Sequence, residues 1–337
     1  MNINVLHLPY GLPMIDICQG LRKKGIKASS LHFFQNRYDF KPDICANLDQ
    51  LTKTEALIQK RNLLQNCMQQ FDLFHFHFGE TFLPNKQDLQ QLKEAGKKIV
   101  VHHHGSEVRS LSKARKYNNP YVKVKPEWTD ERIHQNLQML SSYVDHAIVP
   151  DYELYPYITP YYRNIHVIQN AVQMDQYTPS FPSRVKKMPL VVHAPTHRDL
   201  KGTDYVLSAV QELKNEGIPF QFQLLEHMTE KEVKAAMKQS DIVIDQLRIG
   251  SYGFVAIEGM AFGKPVISFI RPDLVTTFPS GLPICNANPL TIKEKLRDLL
   301  LNPVNRYDLG QKGRQYAMQF HDIHKQVEKY IRIYQSI

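Results

Sequence analysis

The sequence predicts an α/β protein built as two doubly wound parallel-sheet units, and three observations carry that reading. Strand-like apolar runs alternate with amphipathic stretches for nearly the whole length, as a parallel sheet with crossover helices requires. A stretch containing Pro and Lys, residues 178–189, separates those runs into two series. The chain has 337 residues, 42% of them hydrophobic, which is enough for two cores.

In the first series strands are expected at 3–8, 28–33, 71–78, 99–103, 147–149 and 166–168, with helical stretches at 14–24, 85–95 and 131–140. Met1 and Asn2 lead into the first strand without a basic leader or cleavage site. The second series has strands at 190–193, 220–225, 242–245 and 266–269, separated by helices at 204–216, 230–238 and 252–262. Two more helices, 305–320 and 323–337, close the sequence. Ligands of such sheets lie beyond the carboxyl ends of the strands, which singles out Glu226 and Asp245 as strand-end acids.

Residues 250–269, GSYGFVAIEGMAFGKPVISF, are the most informative stretch. After the turn at Gly250, Ser251, Tyr252 and Gly253 open a short helix that continues through Phe254, Glu258 is the lone acid on it, and Gly263-Lys264-Pro265 ends it before a buried strand. A helix entered through such a turn presents free N–H groups and the positive end of its dipole, which suit a phosphate. An acid one to two turns along can accept hydrogen bonds from ribose hydroxyls. The same residues also fit an ordinary crossover whose Glu258 is merely solvated. A second loop, residues 193–210, places Arg198 and Lys201 beside a helix that starts at Thr203 or Asp204, where a diphosphate would meet backbone donors and fixed cations.

Net charge is +9, from 42 Lys and Arg against 33 Asp and Glu, and asks for an anionic partner. No RNA-recognition, helix-turn-helix or zinc-finger spacing accompanies the basic patches 22–24, 113–116 and 123–125, which argues against nucleic acid. Each patch is read either as a solvated face or as a peripheral contact with an anionic membrane surface. The sequence shows no long apolar run and no signal peptide, so the expected location is the cytoplasm, free or at the inner face of the membrane. Cys18, Cys45, Cys67 and Cys285 have no ligand spacing and read as reduced thiols. His75 and His77, then His102, His103 and His104, put imidazoles on strand ends and invite a metal reading, but a metal site would still need carboxylates at suitable places, and HxH motifs of metal hydrolases usually lie on the first strand of their domain.

The 250–269 stretch resembles the nucleotide-sugar signature of GT-B glycosyltransferases, especially the retaining enzymes of glycosyltransferase family four, whose pattern reads Glu-Gly-Phe-Gly, four residues, then Glu-Ala-Met-Ala-x-Gly-x-Pro-Val. HHHGSEVRS, residues 102–110, is similar to that family's His-Gly-Ser-Asp-Val-Arg turn, Lys201-Gly202 to its Lys-Gly, and residues 167–180 to the passage ending its first domain. The resemblance implies two Rossmann-like domains facing across a cleft: 1–180 on the acceptor side, 181–320 binding the donor, and 321–337 as a helix crossing back.

By the same resemblance Glu258 binds the donor ribose, Lys201 and Arg198 stabilise the departing nucleoside diphosphate, and His104 with Gly105 lies at the reaction centre with Arg109 nearby. His77 would face the acceptor. The family's first signature acid falls on Gly250, a departure that leaves Asp245 or Gln246 as a candidate sugar contact. The implied activity is transfer of a sugar from a nucleoside-diphosphate sugar to an unidentified acceptor, with retained anomeric configuration, no separate cofactor and no metal. A catalytically weakened nucleotide-binding subunit and a GT-B sugar-nucleotide epimerase are the rival expectations.

Overall fold

The computed structural model describes residues 3–36, 38–117 and 119–337; Met1 and Asn2, at the lead into the first expected strand, lie outside the described residues. Among the described residues the strands are β1 (Asn4–Leu8), β2 (Lys27–His32), β3 (Ile44–Cys45), β4 (Leu73–His77), β5 (Lys98–His102), β6 (His146–Val149), β7 (Asn164–Val167), β8 (Leu190–His193), β9 (Gln221–Leu224), β10 (Ile242–Ile244), β11 (Val266–Ser268) and β12 (Ile284–Asn286). They form a seven-stranded sheet of order β3-β2-β1-β4-β5-β6-β7 and a five-stranded sheet of order β12-β11-β10-β8-β9. Every pairing in both sheets is parallel, so the protein is α/β with two wound sheets.

Elements beyond the sequence expectation include β3, β12, the helices Lys53–Gln70 and Ile292–Leu301, and the short helices Leu111–Lys116, Tyr155–Ile158 and Arg198–Lys201. Helix Lys53–Gln70 buries only Leu64 and Cys67, too few apolar positions to give a 3.6-residue period. What fixes its start is local chemistry. Thr52 accepts the N–H of Glu55 and the Glu55 carboxylate accepts the N–H of Thr52, so two otherwise orphaned donors are satisfied reciprocally.

The chain divides into two compact units. The first holds the residues up to Ser110, Pro126–Asn170 and Ile323–Ile337; the second holds Leu111–Lys125 and Ala171–Asp322. In the first unit the order of winding reverses between β1 and β4. Helix Leu12–Lys23 meets the last helix, Ile323–Ser336, at Gly20, where an added Cβ would lie 2.7 Å from the Val327 side chain.

In the second unit the winding reverses between β8 and β10. Alternation along its strands feeds two cores, one per face. Val192, Val243 and Val266 join Ile257, Met260 and Tyr316 on one side, while Val191, Ile242, Ile244 and Ile267 join Val206, Leu213, Leu296 and Leu299 on the other. Each such side chain, fully buried, contributes about 1.5–3 kcal/mol. Helix Pro303–Phe320 approaches the loop after helix Phe254–Ala261 closely enough that a Cβ on Gly310 would lie 2.2 Å from the carbonyl oxygen of Gly263. Residues 111–125 are held in this unit by Asn119, whose amide donates to the carbonyls of Arg248 and Ile249 at 2.8 and 2.9 Å, and by Lys123, 2.6 Å from Asp199.

Candidate functional site

In the second unit the loops after β8 and β10, at the point where the winding reverses, meet the start of helix Phe254–Ala261. Gly253 caps that helix and donates its N–H to Asp245 Oδ2 at 2.6 Å. Lys201, at the end of the short helix Arg198–Lys201, lays its ammonium against Gly253: a Cβ there would lie 3.3 Å from Nζ. The ammonium donates to Gln246 Oε1 at 2.6 Å and stands 3.6 Å from Asp245 Oδ1. The Gln246 amide group is fixed at its other end by donating to the carbonyl of Ser251.

An ammonium beside the positive end of a helix is repelled by the dipole, and no acid lies in the first turn of this helix. One buried carboxylate, Asp245, therefore faces a cation, a helix terminus and a capping N–H together. The excess is positive and directional, which is the electrostatics of an anion site. The Lys201 side chain remains 16% exposed, so its ammonium reaches solvent while its stem is held.

Glu258 sits one turn into the same helix, half-buried, and accepts a hydrogen bond from the Tyr177 hydroxyl at 2.8 Å. That partner comes from the 167–180 passage, which the resemblance placed at the end of the first domain. Arg198 lies apart from Lys201: its guanidinium makes a two-pronged pair with Glu226, and that carboxylate raises its pKa. Asp245, expected as a candidate sugar contact, is 1% exposed and anchors Lys201 and Gly253 instead of lining an open surface. Tyr252 is buried with its hydroxyl 3.0 Å from His321 Nε2.

Gly250 has φ 93, in the left-handed region, and an added Cβ would lie 3.0 Å from Arg271 Cβ. The departure at this position is thus built into the backbone, since a side chain would be both strained and crowded. Its carbonyl accepts the N–H of Arg271 at 2.9 Å.

In the first unit the turn after β5 is organised by Glu107, which accepts the N–H of His104 at 2.6 Å and of Gly105 at 3.0 Å. Burial alone would raise the Glu107 pKa, but His103, His104 and these N–H groups hold it down at about 2. Gly105 has φ 144, and Arg109 stacks beneath it, 3.2 Å from where a Cβ would be. Arg109 is buried and paired through Nε and Nη2 with Glu153 at 2.9 and 2.6 Å; burial would lower its pKa, and Glu153 raises it. Arg109 therefore supports the turn from behind.

His104 is half-buried and its pKa is lowered to about 4, chiefly by burial, so the ring is neutral near pH 7. His77, by contrast, is fully buried, with Nε2 3.1 Å from His7 Nδ1 and Nδ1 2.9 Å from His104 Nε2. The fate of these neighbours was not legible in sequence, because His7 stands 70 residues from His77. Cys18, Cys45, Cys67 and Cys285 are free thiols, and no described helix is long and apolar enough to cross a membrane.

Residues 202–316 match the family model described as Glycosyl transferases group 1. An uncharacterized glycosyltransferase of Methanocaldococcus jannaschii is 32% identical over 101 residues, a match that takes in 29% of this chain and 29% of that relative. Among solved structures, Anabaena HepE in complex with UDP-glucose superposes with a TM-score of 0.69 at 13% identity, covering 100% of both chains. A putative UDP-N-acetylglucosamine 2-epimerase from Listeria monocytogenes superposes at 0.59 with 15% identity, covering 100% of this chain and 96% of that one. The fold is therefore GT-B, and the match to the group 1 glycosyltransferase model falls within its second unit.

Proposed function

We propose that this protein is a retaining glycosyltransferase that moves a sugar from a nucleoside-diphosphate donor to an acceptor still to be identified. The observation that carries the reading is the placement of the Lys201 ammonium on the capping residue of helix Phe254–Ala261, with Glu258 one turn further along it. Charge grows on the diphosphate as the glycosidic bond breaks, and a fixed cation beside helix N–H groups stabilises that growth without reorganising. Asp245 and Gln246 act as positioning residues, holding Lys201 in place. Glu258, aligned by Tyr177, grips the ribose hydroxyls. The neutral His104 ring, held by the Glu107 turn, contacts the donor sugar. Arg198 reaches a phosphate only by exchanging Glu226 for it.

The test is a panel of nucleotide sugars incubated with candidate acceptors, following nucleotide release and the anomeric configuration of the product. Retained configuration in a transferred sugar supports the proposal. Binding without turnover of any donor identifies a nucleotide-binding subunit, and interconversion of the donor without an acceptor identifies an epimerase. Since fixed cations and N–H groups fill the role of a metal, EDTA is expected to leave transfer intact.

A further inference from the structure

On one face of the first unit's sheet, around the reversal between β1 and β4, the imidazoles of His7, His75, His77 and His102 are buried, and a fifth, the half-buried His104, follows the end of β5. His7 pairs in register with His75, and His77 with His102, so all four side chains share that face, and His104 follows two residues after His102. Such positions in a parallel sheet ordinarily carry Val, Ile or Leu. Four of the five rings are joined by one hydrogen-bonded relay, which leaves His75 Nε2 at its end without a partner. In a consistent tautomer assignment His104 Nε2–H donates to His77 Nδ1 (2.9 Å), His77 Nε2–H to His7 Nδ1 (3.1 Å), His7 Nε2–H to the Tyr334 hydroxyl (3.2 Å), and that hydroxyl to His75 Nδ1 (2.6 Å).

His102 is the exception. It is 1% exposed, and both of its nitrogens lack a hydrogen-bond partner. A neutral imidazole carries one N–H and one lone pair, and leaving both unmet in a buried site is costly. One nitrogen each from His77, His102 and His104 lies within 4.8 Å of the others.

We propose that His77, His102 and His104 bind one nitrogen-seeking transition-metal dication, zinc being the best fit. Three imidazoles without an oxygen or sulfur donor exclude magnesium and calcium and suit zinc, cobalt, nickel or copper. His77 Nδ1 and His104 Nε2, 2.9 Å apart, are near the separation of about 3.3 Å that two nitrogens adopt on one tetrahedral zinc, so both reach one ion once the His104 ring proton has moved from Nε2 to Nδ1 and the two rings have turned towards it. His102 is stacked on His104 with ring centroids 4.3 Å apart and must swing out of that stack to reach the ion. Because its nitrogens have no partners, the swing breaks no hydrogen bond.

The surroundings meet the other needs of a metal site. With Nδ1 on the metal, His77 donates Nε2–H to His7, which in turn is fixed by Tyr334, an outer shell that sets ring orientation. Glu107, which accepts the backbone N–H of His104, places a carboxylate near the excess positive charge. The half-buried His104 gives the ion a path from solvent.

One consequence rests on the reading of His104 as a sugar contact. A ring engaged by zinc is withdrawn from the donor, so occupation inhibits transfer, whereas EDTA does not.

The experiment is titration of the metal-stripped full chain with Zn²⁺ by equilibrium dialysis and with Co²⁺ by visible absorption, beside His102→Phe and His75→Phe. One zinc per chain is expected, with the intense visible bands of tetrahedral cobalt. The phenyl ring keeps the stack but not the ligand, so His102→Phe should bind at least about 100-fold more weakly. His75→Phe, outside the ligand set and at the far end of the relay, should lose less affinity than His102→Phe; a larger loss would assign the ion to His7, His75 and His77 instead and overturn the site. No stoichiometric zinc on the parent, or equal binding by His102→Phe, overturns the site. Turnover that persists at zinc saturation overturns the competition at His104. A chain that binds zinc yet turns over no donor with zinc removed refutes the transferase reading and leaves the metal site standing.

Discussion

Lys201 and Glu258 show how little a single residue's role can be read apart from its partners. Lys201 was visible in sequence beside a helix start, but the neighbour that makes its charge useful is Gly253, on a different loop, and the acid that steadies it, Asp245, is buried. Lys201→Ala should lower turnover by about 10²-fold while barely changing affinity for the bare nucleoside, because the lost charge acts on the departing diphosphate. Wild-type turnover in a folded variant would remove Lys201 from the reaction. It should also cost stability, since the buried Asp245 carboxylate loses its cation. Glu258→Ala should weaken nucleotide and nucleotide-sugar binding alike by about 1.5–3 kcal/mol, the worth of a charge-assisted hydrogen bond. Glu258→Gln separates the roles: it keeps an acceptor for Tyr177 and loses the charge, so isothermal titration should show most of the affinity loss with little change in stability.

At the scale of elements, legibility followed hydrophobic period. All strands but β3 and β12, which are two and three residues long, showed as apolar runs, and β10 and β11 needed nothing more. Helix Lys53–Gln70 escaped because it buries two residues, and only the Thr52–Glu55 pair marks its start. Helix Ile292–Leu301 was readable in principle, since Ile292, Leu296, Leu299 and Leu300 recur at helical spacing and are buried. The pairing of Tyr177 with Glu258 was not readable, because it is a contact across 81 positions and nothing local announces it. Close approach between elements is equally silent in sequence. Gly310 lets helix Pro303–Phe320 touch the backbone at Gly263, so Gly310→Ala should destabilise by about 1–3 kcal/mol through overpacking. The urea midpoint of unfolding measures it; an unchanged midpoint would mean that the helices separate at no cost.

For the molecule as a whole, buried neutral histidines make stability depend on pH. His193 donates Nδ1–H to the carbonyl of Ile244 and lies 2.9 Å from the Thr203 hydroxyl, and His32 Nε2 accepts the N–H of Gly11 at 3.2 Å. Burial lowers both pKa values from 6.5 to about 4. The unfolded chain then takes up protons first, so the stability these groups confer is fully present above about pH 6.5 and is lost as pH falls towards 4, by up to about 1.4 kcal/mol per pH unit for each. Urea midpoints should be lower at pH 5 than at pH 7.5, with net proton uptake on unfolding; a midpoint independent of pH would contradict neutral burial. The Tyr334 hydroxyl, bonded to His7 across 327 positions, also imposes a schedule on synthesis. The strands of the first sheet have all been translated by Val167, yet the helix carrying Tyr334 begins only at Ile323. At ordinary elongation rates the ribosome needs roughly 10–30 s to cover that interval. Throughout it the nascent first unit waits with its row of imidazoles uncovered, exposed to whatever chaperone reaches it before its own final helix does.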